Sequence, residues 1–305
     1  MHTGSTTEHT ERKPGRTAGG TADLSAQLRG MWAAVAGSWG DQAAYLDARG
    51  AVVGERMLEL SRPQPGERVF ELACGPGGLG LAAARRVAPG GQVVLSDVVA
   101  EMTSIAATRA AALGLGNVTT CELDLERIDQ PDGSYDVVLC REGLMLVPDP
   151  ARAAREIWRV LRPGGRAALA VWGPRDRNPW LGAMFDAVSA QVGAPVPPPG
   201  IPGPFSLHDA GRLAGLLGEA GLSDVSVKEV SVPLRAASFE DWWSRGSTLA
   251  GPLARRLASL PPDAVEAIRA HARAAVSVYE AAGGLEIPGV ALLAGGRRAD
   301  APRTC

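Results

Sequence analysis

A short glycine-rich segment, VFELACGPGG at residues 69–78, constrains the fold of this 305-residue chain more than any other part of it. An apolar run that is typical of a buried strand leads into Gly75 and Gly77, and a helical pattern begins just after them. Glycines at such a turn allow unusual backbone angles and let a ligand approach the main chain closely. Asp97 ends the next predicted strand, where a carboxylate can accept hydrogen bonds from both hydroxyls of a ribose. The segment therefore predicts a nucleotide-type ligand at a strand–turn–helix junction.

Strand-like and helix-like runs alternate over the middle of the chain. The strands are predicted at residues 68–73, 92–96, 118–123, 135–140 and 166–172. Helical patterns separate most of them, which is the signature of a parallel sheet with helices on both faces. The fold class is therefore α/β, and ligands of such sheets bind beyond the carboxyl ends of the strands.

Composition excludes several classes of partner. The 31 basic and 33 acidic residues give no positive field that would suit nucleic acid. We find no secretory signal and no apolar run of about 18 residues, so no membrane contact is expected and a cytoplasmic location is the default. The four cysteines form no C-x-x-C pair, so neither a disulfide framework nor a metal site is predicted.

The glycine turn alone does not identify its ligand, because Gly75-x-Gly77-x-x-Gly80 also fits the dinucleotide fingerprint. An NAD-dependent oxidoreductase on a similar fold is thus one alternative. No Tyr-x-x-x-Lys pair supports it, since Lys13 and Lys228 are the only lysines in the chain.

The segment resembles motif I of the class I S-adenosylmethionine (SAM)-dependent methyltransferases, written E/D-x-G-x-G-x-G. Glu71, Gly75 and Gly77 match this motif, and Ala73 stands where the family has its first glycine. Further stretches resemble the group that includes the ubiquinone/menaquinone-type C-methyltransferases, also called methyltransferase type 11: residues 121–125, 134–140, 147–150 and 157–165.

This resemblance implies a Rossmann-like sheet of seven mostly parallel strands, with the last strand antiparallel and a mostly helical lid. We expect SAM as cofactor and S-adenosylhomocysteine (SAH) as its product. The expected organisation is a disordered leader (1–22), N-terminal helices (23–60), the SAM-binding core (61–173), a lid insertion (174–205), the rest of the core (206–238), a helical lid insertion (239–285), the last core strand (286–298) and a tail (299–305).

The resemblance also implies roles for individual residues in cofactor binding. Glu71 should orient the methionine amino group, Asp97 should bind the ribose, and Asp124 should bind the adenine amino group. The remaining expected cofactor contacts are Ala73, Gly75, Gly77, Met102, Leu125, Cys140 and Arg141. An N-terminal helix folds over SAM in the family, so Trp39 or Tyr45 either faces the cofactor or belongs to the core.

The acceptor side is expected to hold a small organic molecule. Two segments, 174–205 and 239–285, carry apolar and aromatic residues that could close over the methyl group. The candidate lining residues are Trp172, Trp180, Trp242, Trp243 and Tyr279. Because adjacent tryptophans on a helix cannot share one face, one of Trp242 and Trp243 should be core.

Glu142 follows the fourth strand and is the candidate general base, with a structural carboxylate as the alternative. A C, O or N atom of the acceptor, such as a secondary metabolite, is then methylated by in-line displacement. A protein that binds SAM without transferring methyl is a second alternative. The sequence leaves open whether the protein is a homodimer.

Overall fold

The computed structural model describes residues 18–300, with side chains from Asp23 onward. Its helices, in chain order, are α1 (Ala18–Ala33), α2 (Ala36–Asp41), α3 (Ala43–Ser61), α4 (Gly78–Val87), α5 (Ala100–Ala112), α6 (Pro150–Val160), α7 (Pro179–Val192), α8 (Ala210–Glu219), α9 (Phe239–Leu249), α10 (Gly251–Ala258) and α11 (Pro262–Val276). Its strands are β1 (Arg68–Leu72), β2 (Gln92–Asp97), β3 (Val118–Glu122), β4 (Tyr135–Arg141), β5 (Leu161–Trp172), β6 (Leu222–Ser231), β7 (Leu234–Ala236), β8 (Glu280–Ala281), β9 (Gly284–Ile287) and β10 (Val290–Arg298). Single turns of 3-10 helix lie at Leu144–Leu146, Arg175–Arg177 and Ser277–Tyr279.

Seven strands form the central sheet, in the order β3–β2–β1–β4–β5–β10–β6. Strand β1 pairs in parallel with β2 on one side and with β4 on the other. Strand β10 runs antiparallel to both of its neighbours, β5 and β6. The predicted Rossmann-like sheet with an antiparallel last strand is therefore confirmed. Because the strand order reverses between β1 and β4, a ligand crevice is expected at their carboxyl ends.

The central strands are buried on both faces, which is why their sequences read as nearly continuous apolar runs. Val69, Phe70 and Leu72 of β1 have no exposed surface, and neither have Val137 and Leu139 of β4. A well-packed sheet of this kind, shielded from solvent, fixes the positions of the loops that follow its strands. Those loops carry the residues of the candidate site.

The N-terminal region is more helical than the sequence predicts. Of the expected disordered leader, residues 1–17 lie outside the described part of the chain, whereas Ala18 to Ala22 form the first turn of α1. The glycines at 37 and 40 predict a break in the helical pattern there, but these residues belong to the short helix α2. The interruptions instead come just before α2 and at Gln42, after which α3 begins.

Residues 225–234 alternate in a way that predicts one strand, but the structure divides this stretch into two. Pro233 lacks an N–H and interrupts the ladder, so β6 ends at Ser231 and β7 starts a second sheet. That sheet has the order β7–β9–β8. Pro288 likewise separates β9 from β10, so the last core strand begins at Val290 and not at residue 286. The end of the expected helical insertion is consequently a small antiparallel sheet.

Side-chain caps begin both α8 and α9, and for each helix the sequence offers a serine at the start of a capping box, Ser206 and Ser238. Ser238 caps α9 by accepting a hydrogen bond from the Asp241 N–H at 3.2 Å, as expected for the serine that opens the stretch Ser-Phe-Glu-Asp at 238–241. At α8 the cap is Asp209 and not Ser206, which instead accepts from the Gly203 N–H. Within the described part of the chain, no helix is both long enough and apolar enough to cross a membrane.

Candidate functional site

A large cavity opens at the carboxyl ends of the central strands, where the strand order reverses. It lies between the glycine turn on one side and helices α3, α7 and α9 on the other. The structure brings most of the predicted site residues together on its wall. Those that line it are Glu71, Ala73, Gly75, Asp97, Met102, Asp124, Leu125, Arg141, Glu142, Trp172, Trp180 and Trp242.

The glycine turn has the geometry that its sequence predicts. Gly75 and Gly77 have φ values of +51° and +85°, which L-residues rarely adopt. A Cβ at Gly77 would also lie 3.0 Å from atoms of Leu95 and Ala106, so this glycine packs against the protein and does not line the cavity. Gly77 caps α4, whose first N–H groups therefore point toward the turn.

Two carboxylates stand beside the turn, Glu71 buried and Asp97 half-buried. Asp97 accepts hydrogen bonds from the Gly75 N–H at 3.0 Å and from the Val99 N–H at 3.1 Å. Glu71 accepts from the Gly80 N–H at 2.8 Å. Burial raises the pKa of both carboxyls, that of Glu71 to about 7, although these N–H donors oppose the change. Carboxylates at a cavity wall favour a cationic or hydrogen-bond-donating ligand.

The residues after β3 and at the start of α5 form another wall of the cavity. Met102 is nearly fully buried and packs with Val99 and Ala36, while Leu125 is 6% exposed. One oxygen of Asp124 accepts from the Glu126 N–H at 2.9 Å and so fixes the loop. An apolar slot flanked by a carboxylate suits a flat ring that carries an amino group.

The last residue of β4 and the one after it, Arg141 and Glu142, are both charged, and the second has a strained backbone. Glu142 has a φ of +62°, unusual for a residue with a side chain, and the preceding Arg141 donates to the Gly50 carbonyl at 3.4 Å. Burial raises the pKa of the Glu142 carboxyl, against the effect of Arg141 and Arg49. Cys140 is fully buried and does not line the cavity; burial raises the pKa of its thiol to about 12.

Tryptophans form the wall opposite the glycine turn. The rings of Trp172 and Trp180 meet edge to face with centroids 4.9 Å apart. The indole N–H of Trp242 donates to the Trp180 carbonyl at 2.8 Å, and the Trp180 indole N–H donates to buried Asn178 at 3.0 Å. Asn178 also donates to the Val290 carbonyl at 3.0 Å. These hydrogen bonds tie α7 and α9 to the sheet and hold the aromatic wall in place.

Two residues that were expected in the pocket lie elsewhere. Trp243 stacks on Phe239 with ring centroids 6.2 Å apart, on the side of α9 that faces away from the cavity. Tyr279 belongs to the 3-10 turn before β8 and packs against the core. The adjacent tryptophans do point to different sides, but Trp242 is both the buried residue and the one that lines the cavity.

The N-terminal helices cover the cavity and supply residues that sequence reasoning missed or left open. Trp39 lies against Gly75 and its indole N–H donates to the Leu249 carbonyl at 2.8 Å, so it joins α2 to the end of α9. Arg49 of α3 also lines the cavity, with its guanidinium 3.9 Å from the centroid of the Trp180 ring. Nothing in its local sequence distinguishes Arg49 from an arginine on a solvated helix face, and only the tertiary contacts identify it.

Comparison with known proteins gives a consistent family assignment. A family model described as a methyltransferase domain matches residues 69–165. Nocamycin O-methyltransferase of Saccharothrix syringae is 34% identical over 236 residues, which cover 72% of this chain and 84% of that protein. The ubiquinone/menaquinone biosynthesis C-methyltransferase UbiE of Ectopseudomonas mendocina is 37% identical over 133 residues. That match covers 43% of this chain and only about half of UbiE, 52%.

Solved structures agree on the fold. The YcgJ protein from Bacillus subtilis aligns with 81% of this chain and 98% of its own, with a TM-score of 0.55 at 20% identity. The [4+2]-cyclase SpnF covers 82% of this chain, with a TM-score of 0.50 at 22% identity. At these identities the likeness concerns the fold alone. The family assignment rests on the match to nocamycin O-methyltransferase, which extends over 72% of this chain. The chain therefore belongs to the class I SAM-dependent methyltransferases, and it is an enzyme that uses SAM as its methyl donor.

Proposed function

We propose that this enzyme transfers the methyl group of SAM to an oxygen atom of a small, largely apolar organic acceptor. The observation that carries the proposal is the cavity itself, where Glu142 faces an aromatic wall that includes Trp172, Trp180 and Trp242. Such a pocket suits a flat or greasy molecule with a polar reacting group. Oxygen is favoured over carbon because the relative that matches along 72% of the chain is named an O-methyltransferase, whereas the C-methyltransferase matches over 43%.

The cofactor half of the cavity fits SAM. Glu71 is buried and lacks a cationic partner in direct contact among the described residues, which suits the methionine amino group. Asp97 uses each oxygen for one backbone N–H, and each oxygen retains a lone pair for a ribose hydroxyl. We assign the adenine to Met102, Asp124 and Leu125. The methionine portion is then assigned to the turn and the end of β4, with the residues Ala73, Gly75, Gly77, Cys140 and Arg141.

Two of these residues would act without touching the cofactor. Gly77 shapes the start of α4, and Cys140 packs beneath the end of β4. The acceptor half is closed by residues 174–205 and 239–285, from which Trp180 and Trp242 reach the cavity. We therefore propose that these segments act as the lid.

SAM supplies an already activated methyl group, so the protein has to align the acceptor, exclude water and manage one proton. The aromatic wall orients the acceptor and keeps water out. Glu142 takes the proton from the acceptor hydroxyl, a role that suits a carboxyl whose pKa burial raises above its ordinary value. The oxygen lone pair then forms the new C–O bond while the methyl–sulfur electron pair passes to sulfur, and SAH leaves as the product.

The decisive experiment compares Glu142→Gln with Glu126→Gln, a second carboxylate on the cavity wall that binds the backbone of Asp149. SAH release is measured with a panel of small phenols, enols and carboxylic acids, and mass spectrometry with NMR identifies the methylated atom. With a phenol or enol, whose proton has to be removed, we expect kcat to fall about 10²- to 10⁴-fold in the Glu142 variant while SAH affinity stays unchanged. The Glu126 variant should keep its kcat. Equal turnover in wild type and Glu142→Gln would exclude Glu142 as the base, and methylation at carbon or nitrogen would contradict the oxygen assignment.

A further inference from the structure

Arg49 is the most unusual charged residue in the cavity. Its Nε and Nη2 atoms are shielded from solvent and have no hydrogen-bond partner among the described residues. Burial lowers the pKa of the guanidinium, although the Glu142 carboxylate opposes this effect. A buried donor without a partner is costly, and more so when it carries a charge. An anionic hydrogen-bond acceptor placed at these donors would therefore be strongly stabilised.

The two unpaired atoms lie on the same edge of the guanidinium. Nε–H and one N–H of Nη2 point in parallel, which is the fork that binds two oxygens of one anion. The rings of Trp180 and Trp172, at 3.9 and 5.0 Å from the guanidinium carbon, hold the flat group in place. No carboxylate of the described residues accepts a hydrogen bond from these two atoms. Glu142 is close enough to affect the pKa of Arg49 by its charge, but it makes no hydrogen bond to Nε or Nη2.

The position of Arg49 assigns it to the acceptor and not to the cofactor. It stacks on Trp172 at the end of β5 and on Trp180 of α7, in the wall opposite the glycine turn. The charge beside Glu71, at the cofactor end, is Arg141, which lowers the pKa of that carboxyl.

We propose that the acceptor binds as a delocalised anion with two neighbouring oxygens. Each oxygen accepts a hydrogen bond from the Arg49 guanidinium, one from Nε and one from Nη2. This inference rests on the proposed function and names its substrate class. A carboxylate and the enolate of a β-dicarbonyl compound share this chemistry. A carboxylic acceptor arrives already ionised, whereas an enolisable acceptor passes its proton to Glu142.

Methylation changes the charge at this fork. One oxygen of the anion forms the C–O bond as the methyl–sulfur bond breaks, and the electron pair of that bond goes to sulfur. The anion becomes a neutral methyl ester or enol ether, and the sulfonium becomes the neutral thioether of SAH. The neutral product loses the charge-assisted bonds to Arg49, so binding favours the acceptor over the product.

The test uses the full-length protein saturated with SAH, so that binding is measured without turnover. Calorimetry compares 2-naphthoate with its neutral isostere 2-naphthamide, and 2-acetylindane-1,3-dione with indan-1-one. We expect at least one anionic probe to bind about tenfold or more tightly than its neutral partner, the scale of a charge-assisted pair. The probe that shows the preference distinguishes a carboxylic acceptor from an enolic one.

Variants then assign the preference to Arg49. Arg49→Gln should abolish it, and Arg49→Lys should keep only part of it because lysine lacks the fork. Arg245→Gln is the matched control, since Arg245 also stacks on a cavity aromatic, Tyr45 at 4.0 Å, but its Nε already donates to Asp241. Circular dichroism and SAH affinity verify folding, and the lysine variant carries the test if the glutamine variant does not fold.

Several outcomes would overturn the inference. These are equal affinities within both probe pairs, no binding of either anion at millimolar concentration, a preference that survives Arg49→Gln, or a loss of SAH affinity in a folded Arg49 variant. Methyl transfer to an uncharged phenol without any anionic preference would support the proposed function and overturn this inference. Arg49-dependent binding of naphthoate, with no SAH formed from SAM by any acceptor, would support the inference and contradict the proposed transfer.

Discussion

Replacement of Glu71 by glutamine should change how the stability of the protein depends on pH. Glu71 is 1% exposed on β1, and burial raises the pKa of its carboxyl from 4.5 to about 7 against the opposing effects of Arg141 and the Gly80 N–H. Between these two values the folded chain binds more protons than the unfolded chain. The stabilisation from this group is thus complete below about pH 4.5 and is lost as the pH rises through about 7.

The magnitude follows from the two pKa values. A difference of one in pKa corresponds to about 1.4 kcal/mol. From about pH 5 to about pH 8 the wild-type protein should therefore lose about 2 to 3 kcal/mol of unfolding free energy that the Glu71→Gln variant keeps. Urea unfolding of both proteins measures this, and the difference between them removes the contributions of the other carboxyls. If the unfolding free energies of wild type and Glu71→Gln differ by the same amount, within about 0.5 kcal/mol, at every pH from about 5 to about 8, the reasoning is refuted.

Ligand affinity gives an independent reading of the same titration. If ionised Glu71 meets the amino group of the ligand, as we propose, wild-type protein should bind SAH about tenfold more weakly at about pH 6 than at about pH 8. Glu71→Gln should show only the titration of the ligand itself. Calorimetry at both pH values makes the comparison. Parallel changes in the two proteins would separate Glu71 from the amino group.

Two further changes test the turn and its support. Asp97→Ala should weaken SAH binding by about 1–3 kcal/mol and also lower the unfolding free energy, because the Gly75 and Val99 N–H groups lose their acceptor; unchanged affinity by calorimetry in a folded variant would remove Asp97 from the site. Gly143→Ala should cost about 1–3 kcal/mol in urea unfolding, since the added Cβ would lie 2.4 Å from the Cβ of Ala73. Its backbone angles, φ −100° and ψ −44°, accept alanine, so the cost is steric. Ala73→Gly should recover part of it, and a fully stable single variant would contradict the contact.

The cofactor half of the molecule is readable from sequence because its determinants are local. Most of β1, the glycine turn and the start of α4 lie within one short segment, 69–78, and their periodicity and glycine spacing dictate their conformation. Asp97 and Asp124 each follow a predicted strand. Since parallel strands end at one edge of the sheet, residues that follow them meet on the same cavity.

The acceptor half depends on contacts between distant elements, so sequence alone misplaces parts of it. Trp243 and Tyr279 were expected at the cavity because aromatic residues suit it, but the rotation of α9 and the second sheet direct them elsewhere. Arg49 was missed for the converse reason, since a charged residue on a helix is normally solvated. Its position against Trp180 arises only when α3 and α7 pack over the same strand ends.

Two residues with strained backbone angles lie on the cavity wall, between its cofactor end and its acceptor end. Ala73 at the end of β1 and Glu142 at the end of β4 have φ values of +50° and +62°, where glycine would be favoured by roughly 1 kcal/mol or more. Glycine does occupy the neighbouring position 143, against which Ala73 packs. A fold selected for stability alone would have glycine at position 142 as well. Strain retained under a half-buried, chargeable side chain on the cavity wall supports the proposal that Glu142 is the reacting base, because a left-handed residue without a functional role would be glycine.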